Sequence, residues 1–184
     1  DLPAYAIAMS LHAQNLTLVA GTRTLVADLS FTIEPGQCWA LLGRNGAGKS
    51  WLIDTLAGLR EPARGTVSLE GRALTAWPRR ELATRLTVLL QDEGLAGSGA
   101  TAYWGSVADY VALGRFPHGA SPQDAAIVAA AMASMELEAL ATAPLRQLSG
   151  GERQRARIAQ CLVQSAGPQT SCQWLLTDEP LNHL

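Results

Sequence analysis

Gly43-Arg44-Asn45-Gly46-Ala47-Gly48-Lys49-Ser50 decides how the rest of this 184-residue chain is read. The stretch has the form G-x-x-x-x-G-K-S. It stands between an apolar run, Cys38-Trp39-Ala40-Leu41-Leu42, and a segment with helical spacing of apolar residues, Leu52, Ile53, Leu56 and Ala57. A strand that runs through glycines into a helix is the setting in which this pattern binds phosphate. Several backbone N–H groups must converge on one anion, and residues without a β-carbon let the chain wrap closely enough to aim them. The helix start adds the positive end of its dipole. In such a loop Lys49 reaches the terminal phosphates and the Ser50 hydroxyl ligates Mg²⁺. The plainer reading is an ordinary glycine-rich turn, and three features elsewhere in the chain weigh against it.

Upstream, residues 10–42 alternate apolar and polar in short runs, Leu16 and Leu18, then Leu29, Phe31 and Ile33, broken by Ala20-Gly21-Thr22 and Glu34-Pro35-Gly36. This spacing predicts antiparallel strands and tight turns. The continuous run Cys38–Leu42 predicts a strand buried on both faces. Downstream the pattern predicts a helix over Ser50–Gly58, a strand over Thr66–Glu70, a short helix over Pro78–Arg85 and a strand over Leu86–Leu90 that runs into Gln91. Residues 92–105 are rich in Gly, Ala and Ser and read as a loop. Ser121-Pro122-Gln123-Asp124 has the form of a helix start, with a capping serine and proline at the first helical position, and the helix continues to Met135. A further helix starts at Ser149. After the loop Ala166–Gln173, Trp174-Leu175-Leu176-Thr177 reads as a second buried strand, ending in Asp178-Glu179-Pro180.

The first supporting feature is Asp178-Glu179, since carboxylates at the C-terminal edge of a strand sit where α/β sheets bind ligands. Asp178 is placed to hold Mg²⁺ through water, and Glu179 to polarise a water that attacks a γ-phosphate. A solvated acidic turn is the plainer account of such a pair. The second is Leu148-Ser149-Gly150-Gly151-Glu152-Arg153-Gln154. Ser149 and Glu152 form a capping box, but that does not explain two consecutive glycines in a first helical turn, where they lower helix stability. Close approach of an anion to the helix start explains them. The third is Gln91 at a strand end, whose amide could contact Mg²⁺ or the attacking water.

Composition narrows the alternatives. A formal charge of −2 does not suit a nucleic-acid-coating protein. Arg153, Arg155 and Arg157 spread around one helix and are expected to form a solvated face. The longest apolar stretch, Ala125–Met135, is about half of the ~20 residues a membrane span needs. The N-terminus, Asp1-Leu2-Pro3-Ala4, lacks the basic start of a secretory signal. Cys38, Cys161 and Cys172 show no metal or redox spacing and are expected to be reduced thiols of a cytosolic protein. His12, His118 and His183 are expected to be ordinary surface residues. Lys49 is the only lysine, the remaining 13 of 14 basic residues being arginine, which hints that a compact ammonium is needed at that position.

Taken in order, these motifs resemble the ABC ATPase family: GRNGAGKS as its Walker A loop, Gln91 as its Q-loop, LSGGERQ as its signature and WLLTDEP as its Walker B strand. The resemblance covers essentially the whole chain. It implies an α/β P-loop NTPase fold with a RecA-like core, an N-terminal antiparallel β subdomain and an inserted α-helical subdomain. The corresponding segments are 1–91, for the β subdomain and first part of the core; 92–165, for the helical subdomain and signature helix; and 166–184, for the return to the core. It implies ATP and Mg²⁺ as cofactors. Gly43, Arg44, Asn45, Gly46, Ala47, Gly48, Lys49, Ser50 and Trp51 would line the nucleotide. Ser50, Gln91 and Asp178 would serve the metal, and Glu179, Gln91 and Lys49 the chemistry. It also implies head-to-tail pairing, so that Ser149, Gly150, Gly151 and Glu152 of one copy close on the ATP of another. Ser106–Arg115 and the Asn182-His183-Leu184 ending resemble importer ATPases for iron-siderophores, haem or cobalamin. That resemblance implies transmembrane permease subunits, a substrate-binding protein beyond them, no nucleic-acid partner, and a peripheral place on the cytoplasmic face of the inner membrane.

The match has departures. Trp51 stands where the family carries a small hydroxyl residue, and an indole offers one N–H and far more volume beside the phosphates. The position that would stack on adenine falls near Val19 or Ala20, neither aromatic. The chain ends at Leu184, before the aspartate that would complete the D-loop and before a later switch histidine, so it is expected to be a C-terminally truncated piece. Three readings follow: an importer ATPase subunit, a soluble ABC protein acting on ribosomes or DNA, and a non-catalytic nucleotide-binding module. The interval from Gln91 to Ser149 is too short for the long coiled coils of the second class.

Overall fold

The computed structural model describes residues 9–90, 103–167 and 173–178. They fall into two compact units, residues 1–82 and 83–184.

The first unit is built on a four-stranded antiparallel sheet. Its strands are β1 (Leu11–Ala20), β2 (Arg23–Ile33), β3 (Arg64–Leu69) and β4 (Arg72–Ala73), in the order β2-β1-β3-β4. The β1–β2 turn passes through Gly21 at φ 60°, and the alternating pattern sets the pairing, with Leu11 opposite Ile33 on one side and Leu69 on the other. Strict alternation would carry Leu11 and Ala13 inward but turn Leu16 and Leu18 out. All four are buried, because an irregularity between Ala13 and Leu16 resets the phase. Asn15 takes a positive φ there, and its amide donates to Asp28 Oδ1 at 2.8 Å. Gly65 crosses beside it, where a β-carbon would lie 2.4 Å from the Asn15 and Gln14 carbonyl oxygens. The unit also holds α1 (Lys49–Leu56) and all but the last residue of the short α2 (Arg79–Ala83). The expected apolar face of α1 is buried through Leu52, Ile53, Leu56 and Ala57.

One expectation fails here. Cys38–Leu42 is not a buried strand: the segment has no ladder partner among the described residues, and its side chains are exposed, Trp39 at 55% and Leu42 at 90%. A strand exists only through pairing, and a run buried on both faces needs a neighbour on each side. The four strands of this unit pair with one another and supply none. Trp39 instead lies 5.5 Å from Phe31 of β2, and its indole N–H donates to Gln37 Oε1 at 3.0 Å.

The second unit joins a parallel pair, β5 (Leu86–Leu89) and β6 (Trp174–Thr177), to three helices, α3 (Val107–Ala112), α4 (Asp124–Ser134) and α5 (Gly150–Ser165). Leu86 pairs with Trp174 and Leu89 with Thr177. The helices pack around Val107, Val111, Leu137, Leu145, Ala156 and Val163, all fully buried. α5 runs along β5, with Gln164 Nε2 donating to the carbonyls of Ala83 at 2.9 Å and Leu86 at 3.4 Å. Gly114 allows the segment after α3 to touch this helix, since a β-carbon there would meet Gln160 O at 2.4 Å.

Two local expectations are corrected. α4 begins at Asp124, not at Pro122: Ser121 opens a turn in which its hydroxyl accepts from Gln123 N at 3.3 Å, and the Asp124 carboxylate accepts from Ser121 N at 2.9 Å. Asp124 also receives Arg115 Nε at 2.7 Å, which draws the first carboxylate of the helix into a tertiary ion pair. The arginines of α5 do not form a solvated face. Arg155 Nε donates to Met135 O at 3.0 Å, Arg153 donates to Leu148 O, and Arg157 donates to Gln154 Oε1 at 3.1 Å and to Leu90 O. Each half-buried stem lies against the unit while its head satisfies a backbone carbonyl. His118 is likewise tied in, its Nε2 lying 2.6 Å from Gln164 O.

Candidate functional site

In the first unit, the glycine stretch leads directly into α1. Gly46 and Gly48 take φ of 76° and 97°, a left-handed backbone that glycine alone adopts without strain. Gly48 is the N-cap of α1, with no side chain closing the helix start and no acidic residue in the first turn. The first helical N–H groups therefore lack a capping acceptor from the sequence, an arrangement that suits a bound anion. Ala47 N donates to Arg44 O at 3.1 Å, which holds the loop in its curve. Gly48 is also a point of close packing, where a β-carbon would stand 3.0 Å from Leu25 Cβ.

Lys49 folds over this loop. Its Nζ donates to Gly43 O at 3.0 Å and Arg44 O at 3.2 Å. An ammonium resting on two neutral carbonyls exchanges readily for an anion that offers full charge, since charge-assisted hydrogen bonds are roughly twice as strong. Gly43, Arg44, Asn45, Gly46, Ala47, Lys49 and Ser50 thus lie together at the start of α1. The donor set fits a polyphosphate, and Ser50, exposed in the first helical turn, offers the hydroxyl a Mg²⁺ ion bound with it would need. A cavity of about 240 Å³ in the same unit is lined by Thr55, Arg60, Thr66, Trp77 and Arg79. None of the loop residues lines it, so it is a separate feature.

Trp51 follows Ser50 on α1. Its ring lies under the Arg60 guanidinium, 3.8 Å from centroid to Cζ, and Arg60 Nη2 lies 3.4 Å from Asp54 Oδ2. Neither Arg60 nor Asp54 stood out in the sequence, because Arg60 lies past the helix end, where no periodicity points to it.

In the second unit, the capping box is present as expected. Ser149 Oγ accepts from Glu152 N at 3.3 Å, and Glu152 Oε2 accepts from Ser149 N and from Ser149 Oγ, both at 2.7 Å. These bonds, the one from the hydroxyl first, hold the Glu152 carboxyl below its usual range. The box leaves the N–H groups of Gly150 and Gly151 outside it. Asp178 is buried just beyond β6, and its N–H donates to Leu89 O at 2.9 Å, which extends the parallel pairing by one step. Arg157 reaches Leu90 O, one residue before Gln91. Gln91, Glu179, Cys172 and His183 lie outside the described residues. Among the described residues no group of three His, Cys, Asp or Glu side chains is placed to hold a metal, and no helix is long and apolar enough to cross a membrane.

The chain belongs to the ABC transporter family, whose model matches residues 26–182. The sequence is 41% identical over 175 residues to the hemin import ATP-binding protein HmuV of Pseudomonas entomophila strain L48, covering 95% of this chain and 66% of that protein. It is 38% identical over 174 residues to the protein of the same description from Escherichia coli O157:H7, covering 95% and 65%. The chain thus spans slightly less than two thirds of the length of these relatives. Among solved structures it is similar to a bacterial Atm1-family ABC exporter with ATP bound, at a TM-score of 0.76 and 26% identity over 96% of this chain and 30% of that one. A protein described as a metal-chelate type ABC transporter, in an inward-facing conformation, aligns at a TM-score of 0.69 and 27% identity, covering 96% and 62%. The expected fold class, an ABC ATPase fold of mixed α/β type with an antiparallel β subdomain and helices, agrees with these likenesses.

Proposed function

We propose that this chain is the ATP-binding and ATP-hydrolysing part of an ABC importer that takes up haem or a related metal chelate, such as an iron-siderophore or cobalamin. The observation that carries the reading is the Lys49 ammonium folded over a glycine loop at the uncapped start of α1. The choice of importer and cargo is supported by the hemin import relatives, aligned over 95% of this chain.

Bound Mg-ATP would supply the γ-phosphoryl electrophile and a cation that spreads its charge. Lys49 would release the Gly43 and Arg44 carbonyls to bind the terminal phosphates, and Ser50 and Asp178 would hold the metal, Asp178 through water. Glu179 would orient and polarise the attacking water, with Gln91 contacting that water or the metal. Ser149, Gly150 and Gly151 of a second copy would offer the N–H groups of an α5 start to the phosphates, with Glu152 holding the turn in shape. Segment 92–165 would carry the helical subdomain, and 1–91 with 166–184 the β subdomain and core. The helical segment and the stretch around Gln91 would dock on transmembrane permease subunits, served in turn by a substrate-binding protein. The protein would sit at the cytoplasmic face of the inner membrane. Co-expression with transmembrane permease subunits of a chelate importer tests this: the protein should purify with membranes and drive ATP-dependent chelate uptake, and purification with nucleic acid would reject it.

A second reading is favoured by Trp51, which replaces a small hydroxyl residue beside the phosphates: a module that holds nucleotide without turning it over. It is distinguished by phosphate release from the full-length protein with its permease present, which the importer reading requires and this one forbids.

A further inference from the structure

Trp51 poses a steric problem that the site as described does not solve. Side chains on an α-helix lean toward the N-terminus, so each covers the turn preceding its own Cα. For Trp51 that turn is Gly48-Lys49-Ser50, the mouth of the phosphate loop. An indole left to that default would overlie the place where phosphates must enter. The ring is instead stacked on the Arg60 guanidinium, 3.8 Å away. That guanidinium is tied to Asp54, one turn farther along α1, at 3.4 Å. Arg60 is itself anchored beyond the helix end, its N–H donating to Asp54 O at 3.3 Å. Asp54 thus holds Arg60 through both backbone and side chain, and Arg60 in turn lies against the ring.

We propose that Arg60, braced by Asp54, is a positioning residue for nucleotide binding: it stacks Trp51 toward the C-terminal side of α1 and so keeps the phosphate loop open. Arg60 touches no nucleotide in this account and acts only through Trp51. A planar guanidinium suits the task because it can stack on an indole face and bond a carboxylate at its edge at once, which an ammonium does less well. The device would let this chain carry a tryptophan where a small residue is expected and still admit phosphates. This inference rests on the proposed nucleotide site at Lys49.

The test is a double-mutant cycle on the full-length protein, read by Mg-ATP titration and thermal melting, with wild type, R60A, W51T and W51T/R60A. With Trp51 in place, R60A should weaken Mg-ATP binding about five- to tenfold, the size expected when a stack and an ion pair no longer hold the competent rotamer. In the W51T background R60A should change affinity by less than about twofold, because no ring remains to be restrained. Any loss of thermal stability from losing the Arg60–Asp54 pair should appear in both backgrounds and so mark the merely structural part. An equal loss of affinity in both backgrounds, or no loss in either, overturns the proposal while leaving the nucleotide site intact. A folded wild type that binds no Mg-ATP, and matches K49A in doing so, overturns the nucleotide site itself and this inference with it.

Discussion

Two helix starts in this molecule are built in opposite ways. α1 begins at Gly48 with no side-chain cap and no acid in its first turn. α5 begins at Ser149 with a closed capping box and Glu152 in its first turn. Glycines precede the first and open the second, and both are placed by the proposed function against the same phosphates, yet only the first is left electrostatically incomplete. A start that must hold a highly charged ligand within its own chain gains from having no internal acceptor to displace except the weak carbonyls under Lys49. A start that would meet the ligand only on pairing must keep its shape alone, and the reciprocal Ser149–Glu152 bonds do that while leaving the N–H groups of Gly150 and Gly151 outside the box.

Substitutions at the two helix starts should act differently. The largest expected effect lies in chemistry: E179Q should lower ATP turnover by about 10²–10⁴-fold while Mg-ATP affinity stays near wild type, as phosphate-release and binding assays on the full-length protein would record. Equal losses of both would mean that Glu179 serves binding. Next come the loop glycines. G48A forces alanine to φ 97° against Leu25 Cβ at 3.0 Å, whereas G46A meets open space at φ 76°. Both are strained, by about 1–3 kcal/mol, but G48A should lower the thermal midpoint more, and the reverse order would contradict the packing at Gly48.

At the other helix start the sign should invert. G151A should stabilise α5 by up to about 1 kcal/mol, because alanine is the better helix former, and should still lower turnover if the glycine is there for close approach. A gain in stability with turnover unchanged would return Gly150-Gly151 to an ordinary helix start. The smallest effect is acidic. Because the folded Glu152 carboxyl is held below its usual 4.5, its contribution to stability is fully present above that value and is lost as pH falls through the lower folded one. Asp109, held down by Ser106, and Asp124, held down chiefly by Arg115, act in the same direction in the same unit. Thermal midpoints measured from about pH 6 down toward about pH 3 should therefore fall, and E152Q should flatten part of that slope. An unchanged slope would show that the capping box carries no proton linkage.

How much of this was legible in the sequence follows from how local each feature is. The Ser149–Glu152 box and the glycine turn into α1 depend on residues within a few positions of each other, and both formed where the pattern placed them. The strands of the first sheet were legible from alternation, although the irregularity that brings Leu16 and Leu18 inward was not, since a bulge depends on what crosses it, here Gly65. Cys38–Leu42 failed for the opposite reason: its apolar composition is that of a buried strand, but a strand is a property of two segments, and the partner is not encoded in the run itself. The arginines of α5 and the Trp51–Arg60 stack were missed because a long side chain chooses a carbonyl or a ring that sequence spacing does not reveal. Gln91 and Glu179 keep the roles their motifs imply, as proposals.

In the proposed function Lys49 and its glycine loop bind the phosphates of ATP. Mg-ATP titration of the full-length wild-type protein beside K49A, with thermal melts to show that both are folded, tests it most directly. Wild type should bind saturably and K49A should lose at least about 100-fold in affinity, as expected when the charged partner of a buried phosphate is removed. A folded K49A variant with wild-type affinity would contradict it.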